Sequence, residues 1–249
     1  MKIVTYNLRC IYDRDGINSF VHRAGMIGDK IRDESPDVVA FQEVVQKSLP
    51  VLERLLPEYL FVGQFRNADY GGEGLFVAIK KDTCSLLGLE TVWLSPTPYA
   101  AGSRFENQSP YPRICEAVKV RHNASGKIFR VFNLHLDHIS DEARILGIKA
   151  AFEFAKKFED GAPEIYLGDF NAEPDSETIK FCDGFEHLKN VTEYIPVTFH
   201  GFGKEEHKID YIYIDVRLVD AIKTVEAWTD IKNGVYLSDH YPICAELDF

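Results

Sequence analysis

Short apolar runs that each close on a polar residue constrain this chain more than any other feature. The pattern centres on Pro163-Glu164-Ile165-Tyr166-Leu167, followed by Gly168-Asp169-Phe170-Asn171. The run, opened by Gly161 and Pro163, predicts a buried strand. Pro174, Asp175 and Ser176 predict a turn feeding a helix. Residues i and i+2 of an extended backbone share a side, so Asp169 and Asn171 are expected to face one ligand together while Phe170 turns into the core. Two oxygen-bearing side chains on one side suit a hard cation, or a phosphate held by one. An Asx-rich turn without a ligand uses the same residue types.

The same closure recurs along the chain. Met1 to Tyr6 reads as a strand, broken by polar Asn7 where a buried strand prefers Val or Ile. A helix is expected from Asn18 to Glu34, with Phe20, Val21, Ala24, Ile27 and Ile31 on one face and Ser35-Pro36 as its stop. Asp37 to Phe41 predicts a second buried strand. Gln42-Glu43 closes it, as a solvated edge or as a ligand. A helix from Gln46 to Leu56 precedes strands at Tyr59 to Val62, Gly74 to Lys80 and Ser85 to Trp93. Ser95 to Pro112 has no period. Its length predicts a loop that borders the site, sets substrate range and delivers Arg113 to a strand at Ile114 to Arg121. Asn123 to Gly126 predicts a hairpin into Lys127 to Leu136. There Asn133, His135 and Asp137 alternate on one side, and His135 is either a hydrogen-bonded edge residue or a functional one. Ser140 caps a helix running to about Phe158, with Ile145, Ile148, Ala151, Phe152 and Ala155 as its stripe. A short helix at Glu177 to Cys182, a strand at Lys208 to Ile214 carrying Asp210, and a last strand at Ile243 to Leu247 complete the pattern. Asn7, Glu43, His135, Asp169, Asn171, Asp210, Asp239 and His240 thus stand at strand ends, eight residues of four types. Each has a bland explanation alone. Together they predict a site gathered at one end of the strands of an α/β fold.

Across 249 residues there is no linker, repeat or low-complexity stretch, so one domain spanning 1–249 is expected. The net charge of -11 disfavours avid binding to duplex DNA. It is compatible with a phosphorylated substrate, because a bound divalent cation reverses the local field. The cysteines Cys10, Cys84, Cys115, Cys182 and Cys244 are dispersed and lack metal-type spacing, which predicts reduced, mostly buried thiols. No run is long and apolar enough to span a membrane, and the N-terminus lacks the features of a secretory signal. The expectation is a cytoplasmic monomer.

In order, Thr5-Tyr6-Asn7-Leu8, Gln42-Glu43, Asn133-Leu134-His135, Gly168-Asp169-Phe170-Asn171, Ile209-Asp210-Tyr211 and Ser238-Asp239-His240 resemble the endonuclease/exonuclease/phosphatase superfamily, the deoxyribonuclease I-like fold. The resemblance covers essentially the whole chain and is nearest to compact bacterial members and the deadenylase/nocturnin branch. It implies a four-layer α/β sandwich with two packed, mainly antiparallel sheets flanked by helices. It also implies phosphoester hydrolysis with Mg²⁺ or Mn²⁺. By the same resemblance, Glu43 is the principal metal ligand with Asn7 beside it, and Asp239 the second acidic metal-side residue. Asp169 and Asn171 orient the attacking water and hold the phosphate. His240 works on the nucleophile or the scissile phosphate, and Asp210 orients His240. His135 takes the other phosphate-side position, Glu73 the place of an acid that pairs with it, and Arg113 that of an arginine against the phosphate.

These roles make chemical sense together. A cation on Glu43 and Asn7 would neutralise developing charge. Asp169 or a His240–Asp210 pair would take the water's proton, typically worth roughly 10² to 10⁴ in rate. His135, if protonated beside Glu73, would add positive charge. Since no cysteine joins the motifs, a soft-metal site is not expected. Tyr70, Phe105, Tyr111, Phe199 and Tyr211 are candidates for stacking a base, against the alternative that they anchor core and loops. The resulting expectation is a phosphodiesterase or nuclease-type enzyme acting on a short nucleic acid or small phosphodiester. A phosphomonoesterase and a sphingomyelinase-like headgroup hydrolase are the alternatives. A catalytically silent binding protein on the same fold is the reading from another class, and it has no need of intact Glu43, Asp169, Asn171 and His240.

Overall fold

The alternation of apolar side chains in the strands builds two faces per sheet. The computed structural model describes residues 1–249. The strands are β1 Lys2–Asn7, β2 Val38–Val45, β3 Tyr59–Phe65, β4 Glu73–Lys80, β5 Cys84–Trp93, β6 Ile114–His122, β7 Ile128–His135, β8 Glu164–Asp169, β9 Leu188–Asn190, β10 Asp210–Asp215, β11 Ile222–Ala227, β12 Ile231–Lys232, β13 Val235–Tyr236 and β14 Ile243–Leu247. The helices are α1 Phe20–Glu34, α2 Leu49–Leu55, α3 Asp141–Ala155 and α4 Glu177–Asp183. One six-stranded sheet runs β11-β14-β1-β2-β4-β3 and the other β5-β6-β7-β8-β10-β9, with β12-β13 as a separate hairpin. Only the β1–β2 and β7–β8 pairs are parallel.

The expected four layers are present. Ile3, Val38, Ala40, Val77, Val118, Val131, Ile165, Leu167, Ile212 and Ile243 fill the space between the sheets. The opposite parity of β1 and β2, Val4, Tyr6, Val39 and Phe41, packs on Phe20, Ala24, Ile27 and Ile31 of α1. Phe132 and Tyr166 pack on Ile148 and Phe152 of α3 on the far side. Burying both faces of each central strand is what makes their sequences near-continuous apolar runs.

Several expected boundaries shift for local reasons. A 3-10 segment over Asp13–Asn18 precedes α1, which therefore begins at Phe20 rather than Asn18. Ser48 Oγ accepts from Val45 N at 2.9 Å and donates back to its carbonyl, closing a turn that delays α2 to Leu49. Ser140 Oγ caps α3 from Ala143 N at 3.1 Å, but that helix stops at Ala155 instead of Phe158. The strands β9, β11, β12 and β13 were not expected. β11, Ile-Lys-Thr-Val-Glu-Ala, is an edge strand without a fully buried residue, so its apolar signal is weak. No helix is long and apolar enough to cross a membrane, and all five cysteines are buried free thiols.

Candidate active site

The rows of side chains between the sheets change character at one end. On β1 the inward row is Ile3, Thr5, Asn7; on β7 it is Val131, Asn133, His135; on β8, Ile165, Leu167, Asp169; on β10, Ile214, Ile212, Asp210. Beneath this end Gln42 Nε2 donates to Asn133 Oδ1 at 2.8 Å, and Asn133 Nδ2 donates to Phe41 O at 3.0 Å. This fully buried seam ties the two sheets directly under the cleft while leaving few of its polar groups unpaired.

Glu43 reaches the cleft by a different route. The β2–β4 register shifts between Phe41 and Val44, and Glu43 sits at φ 58°. This bulge re-aims the carboxylate out of the alternation. Asn171 is also left-handed, at φ 49°, so it and Asp169 are not related by simple extended alternation. Asn171 N instead donates to Asp169 Oδ1 at 2.8 Å, and its Nδ2 to Leu136 O at 3.1 Å. Both residues face one cleft as expected, through an Asx turn. Phe170 is buried as expected. Gly168 is required by the close approach of β7, since a Cβ there would lie 1.9 Å from Leu134 O.

The cleft encloses about 640 Å³. On its floor Asn7 Nδ2 bridges two carboxylates, Glu43 Oε1 at 3.1 Å and Asp169 Oδ2 at 3.0 Å. Glu43 Oε2 accepts from Cys10 N at 2.9 Å. Burial opposes ionisation of Glu43, but the Cys10 N–H, His240, Asn7 and Arg9 outweigh it and hold the carboxyl below its ordinary value. Glu43, His135 and Asp169 each place a donor atom within 4.8 Å of the other two. An ionised carboxylate with a second carboxylate and an imidazole around one point suits a divalent cation of the Mg²⁺ or Mn²⁺ type. Asn7 turns its amide nitrogen toward that point, because its Oδ1 accepts from Arg9 N at 3.0 Å. As placed, Asn7 orients the carboxylates, and it would ligate a cation only after turning its amide over.

Asp210 and His240 meet across the strands. His240 Nδ1 lies 2.8 Å from Asp210 Oδ2, leaving Nε2 facing Asp169 Oδ2 at 3.8 Å. Thr198 Oγ1 fixes the start of β10 by accepting from Ile209 N and Asp210 N, both at 2.9 Å. Burial alone would lower the His240 pKa, but Asp210, Asp169 and Asp239 together raise it to about 10. Asp169 is pushed up, by burial first and then by Asp210.

Three expected positions come out differently. Asp239 lines the cleft, but its Oδ2 pairs with Arg9 Nη1 at 3.2 Å, and Arg9 also holds Asp15 through two bonds of 3.1 Å. The charge that Asp239 meets in the protein itself is thus the Arg9 guanidinium. Glu73 does not pair with a protonated His135. It pairs with Arg66 at 2.5 Å and groups with Cys10 and Glu43. Burial, then Arg113 and Arg66, hold the His135 pKa well below its ordinary value, so this histidine is neutral. Tyr70 lies outside the cleft, half exposed and edge-on to Trp93 with ring centroids 6.4 Å apart. Of the aromatic candidates, Tyr111 and Phe199 line the cleft, whereas Tyr211 is buried with its hydroxyl on Ala172 O and Lys208 O. Tyr111 also brings the end of the long loop to the site.

Arg113 lines the cleft as expected, bonded through Nη2 to His138 Nδ1 at 3.0 Å. Arg66, Arg9 and His138 line it too and were not singled out from sequence. Arg66 follows directly on Phe65, the last residue of β3, and so closes an apolar strand like the other site residues. Ending that strand at Val62 hides this.

Residues 4–240 match the profile of the Endonuclease/Exonuclease/phosphatase family. No curated protein matches the chain. Among solved structures, an endonuclease/exonuclease/phosphatase from Bacteroides vulgatus superposes with TM-score 0.92 at 27% identity, covering 100% of this chain and 98% of that one. A mannosyl-6-phosphatase of Bacteroides thetaiotaomicron superposes with TM-score 0.89 at 24% identity, covering 100% of both chains. The human nocturnin catalytic domain with bound sulfate does so with TM-score 0.75 at 18% identity, covering 100% of this chain and 93% of that one.

Proposed function

The chain belongs to the endonuclease/exonuclease/phosphatase family, and from that premise we propose that it is a divalent-metal-dependent phosphoester hydrolase acting on small, accessible esters. Glu43 and His135 would hold the cation, and Asn7 keeps Asp169, which is left to act as base, in register with Glu43. When bound, the cation supplies positive charge to the phosphate and to the oxygen leaving it. Asp169 accepts the proton of the attacking water, its basicity raised by burial. Asn171 flanks that carboxylate and fixes its rotamer. His240, held as an imidazolium by three carboxylates, donates Nε2–H to a phosphate oxygen. Asp210 keeps its ring oriented. The water oxygen forms the new bond to phosphorus and the ester oxygen departs. The acidic balance of the chain favours a small ester over duplex DNA.

The observation that carries this reading is the 2.8 Å His240–Asp210 pair in one cleft with the Asn7-bridged carboxylates. A binding protein has no use for a charged histidine aimed at a buried acid. The test is hydrolysis of bis-p-nitrophenyl phosphate, p-nitrophenyl phosphate and a short RNA with Mg²⁺ or Mn²⁺. Activity is expected on at least one ester, lost in excess chelator and lost in Glu43→Ala with the fold intact. Full turnover in chelator overturns the metal. No turnover of any ester with metal leaves the silent binding protein as the reading.

A further inference from the structure

The His240–Asp210 pair crosses between the two sheets. Asp210 opens β10 of one sheet, and His240 lies just before β14 of the other. Neither sheet's ladder therefore sets the 2.8 Å between them. β9 covers β10 only from Tyr213 to Asp215. At the uncovered start, the Thr198 hydroxyl takes the amides of Ile209 and Asp210, both at 2.9 Å. The carbonyl of the same residue accepts from Tyr241 N at 2.7 Å, one position beyond His240. Thr198 thus bonds directly to Asp210 and to the neighbour of His240. It does so from outside the cleft, fully buried and not part of the lining. The next two residues continue the contact. Phe199 sets its ring edge against His240 with centroids 4.9 Å apart, and His200 N donates to Asp239 O at 2.8 Å.

We propose that Thr198 is the positioning residue of the His240–Asp210 pair, holding a carboxylate of one sheet at hydrogen-bond distance from an imidazole of the other. This rests on the hydrolase reading above and extends it to a residue that touches neither ester nor cation. A hydroxyl oxygen has two lone pairs, so one threonine can serve two amides. The branched Cβ limits χ1, which keeps that oxygen in place. Without the acceptor, two buried amides lose their partner, and the start of β10 is driven to turn toward another one. Asp210 turns with it, because the direction of a side chain follows its backbone. The Tyr241 bond runs to the Thr198 backbone and survives the change, so the two halves of the pair part rather than move together. Rate depends steeply on such geometry, and a misplacement of about 1 Å can cost roughly 10²-fold.

Thr198→Val keeps shape and branching without the acceptor, and Thr198→Ser keeps the acceptor. Both are compared with wild type, Asp210→Asn and the double variant Thr198→Val/Asp210→Asn. Rates are measured with Mn²⁺ on the ester, of the three above, that wild type turns over fastest. Thermal melting checks that each protein is folded at the assay temperature. Thr198→Cys, whose sulfur accepts weakly, replaces Thr198→Val if that variant is not. Thr198→Val should lower kcat about 10-fold or more while KM stays within about twofold. Thr198→Ser should regain most of the loss. In the Asp210→Asn background the valine substitution should change kcat by less than about twofold, since a positioning residue acts only through the carboxylate it holds. A threonine that merely supports the fold would lower kcat by the same factor in both backgrounds. A second readout needs no turnover. The low-field proton NMR signal of His240 Nδ1–H is recorded in chelator at pH 7 and identified by its loss in His240→Gln. It should be present in wild type and Thr198→Ser, and should shift or broaden in Thr198→Val. Equal factors in the two backgrounds, or an unchanged signal in Thr198→Val, overturn the proposal. If wild type hydrolyses none of the esters, the hydrolase reading fails, and the signal alone then decides whether Thr198 holds the pair together.

Discussion

The wall of the cleft formed by the segments after β1 and before β14 and the wall formed by those after β3 and before β6 both bury charge, but in opposite states. On the first, nearly every charge has its partner: His240 with Asp210, Arg9 with Asp239 and Asp15, Asn7 between Glu43 and Asp169. Deeper still, fully buried Arg23 gives its guanidinium to four backbone carbonyls, of Asn18, Leu8, Leu237 and Arg9. On the second wall, Arg66 and Arg113 keep unpaired donors. The first wall is complete before any ligand arrives, which is what preorganised chemistry requires. The second keeps guanidinium donors that no group of the chain satisfies. Substitutions on the first should therefore disturb geometry and chemistry, and on the second, ligand choice.

The largest effect should come from the His240–Asp210 pair. His240→Ala and Asp210→Asn are each expected to lower kcat by roughly 10² or more, within the range for positioned acid–base groups. The double variant should be little worse than His240→Ala, because two parts of one unit do not lose independently. Steady-state rates of the four proteins decide it, and multiplicative losses would show that the residues act apart.

Arg23 comes next. Its bonds to Leu8 O and Leu237 O tie the loop after β1 to the segment that leads into Asp239 and His240. Arg23→Met should leave those carbonyls unpaired in a dry interior and cost about 3 kcal/mol. For a chain of this size that is a fall in Tm of about 6 to 12 °C. A shift under two degrees would mean that the first wall does not depend on this tie.

Much of the first wall was legible in the sequence. Asp169, Asp210 and His135 stand at the ends of inward rows whose apolar members set the parity, so their placement follows from period-two alternation. The four-layer fold was implied by the family resemblance, and the same rows with the stripes of α1 and α3 agree with it without dictating it. Glu43 and Asn171 are different. Alternation does not aim them; a bulge and a left-handed turn do, and neither leaves a mark in residue type alone. The second wall was hidden for another reason. Arg66 is separated from Arg113 by 47 positions, and only the meeting of the two sheets makes them neighbours. Arg23 lies between Phe20 and Ile27 on the buried stripe of α1, where a charge interrupting an apolar face was the available signal.

A pH titration sharpens the contrast further. The folded pKa of His240 is about 10, raised from the ordinary 6.5. Between these values the folded protein binds a proton that the unfolded chain has released, so stability falls as pH rises. The contribution is whole below 6.5 and gone above about 10. In chelator, wild type should lose more stability than His240→Gln from pH 7 to pH 9, measured by urea unfolding. Parallel curves would mean that His240 is not held charged by Asp210, Asp169 and Asp239.

The smallest effect has the most informative sign. Arg9 neutralises Asp239 and stands near Glu43, so it occupies carboxylate charge that a metal cation would otherwise use. Its backbone N–H holds the Asn7 oxygen away from the carboxylates, and that bond survives a change of side chain. Arg9→Gln should therefore free Asp239 and remove a repelling charge without moving Asn7. A unit charge several ångströms away across partly wet protein is worth on the order of 1 kcal/mol, about fivefold in affinity. Mn²⁺ titrated by electron paramagnetic resonance should bind this variant more tightly than wild type. On the opposite wall, deleting an arginine charge should weaken binding of phosphate. Weaker Mn²⁺ binding in Arg9→Gln would mean that the guanidinium supports the Glu43 geometry instead of competing with the metal, and the first wall would then depend on its cations for shape rather than for charge balance.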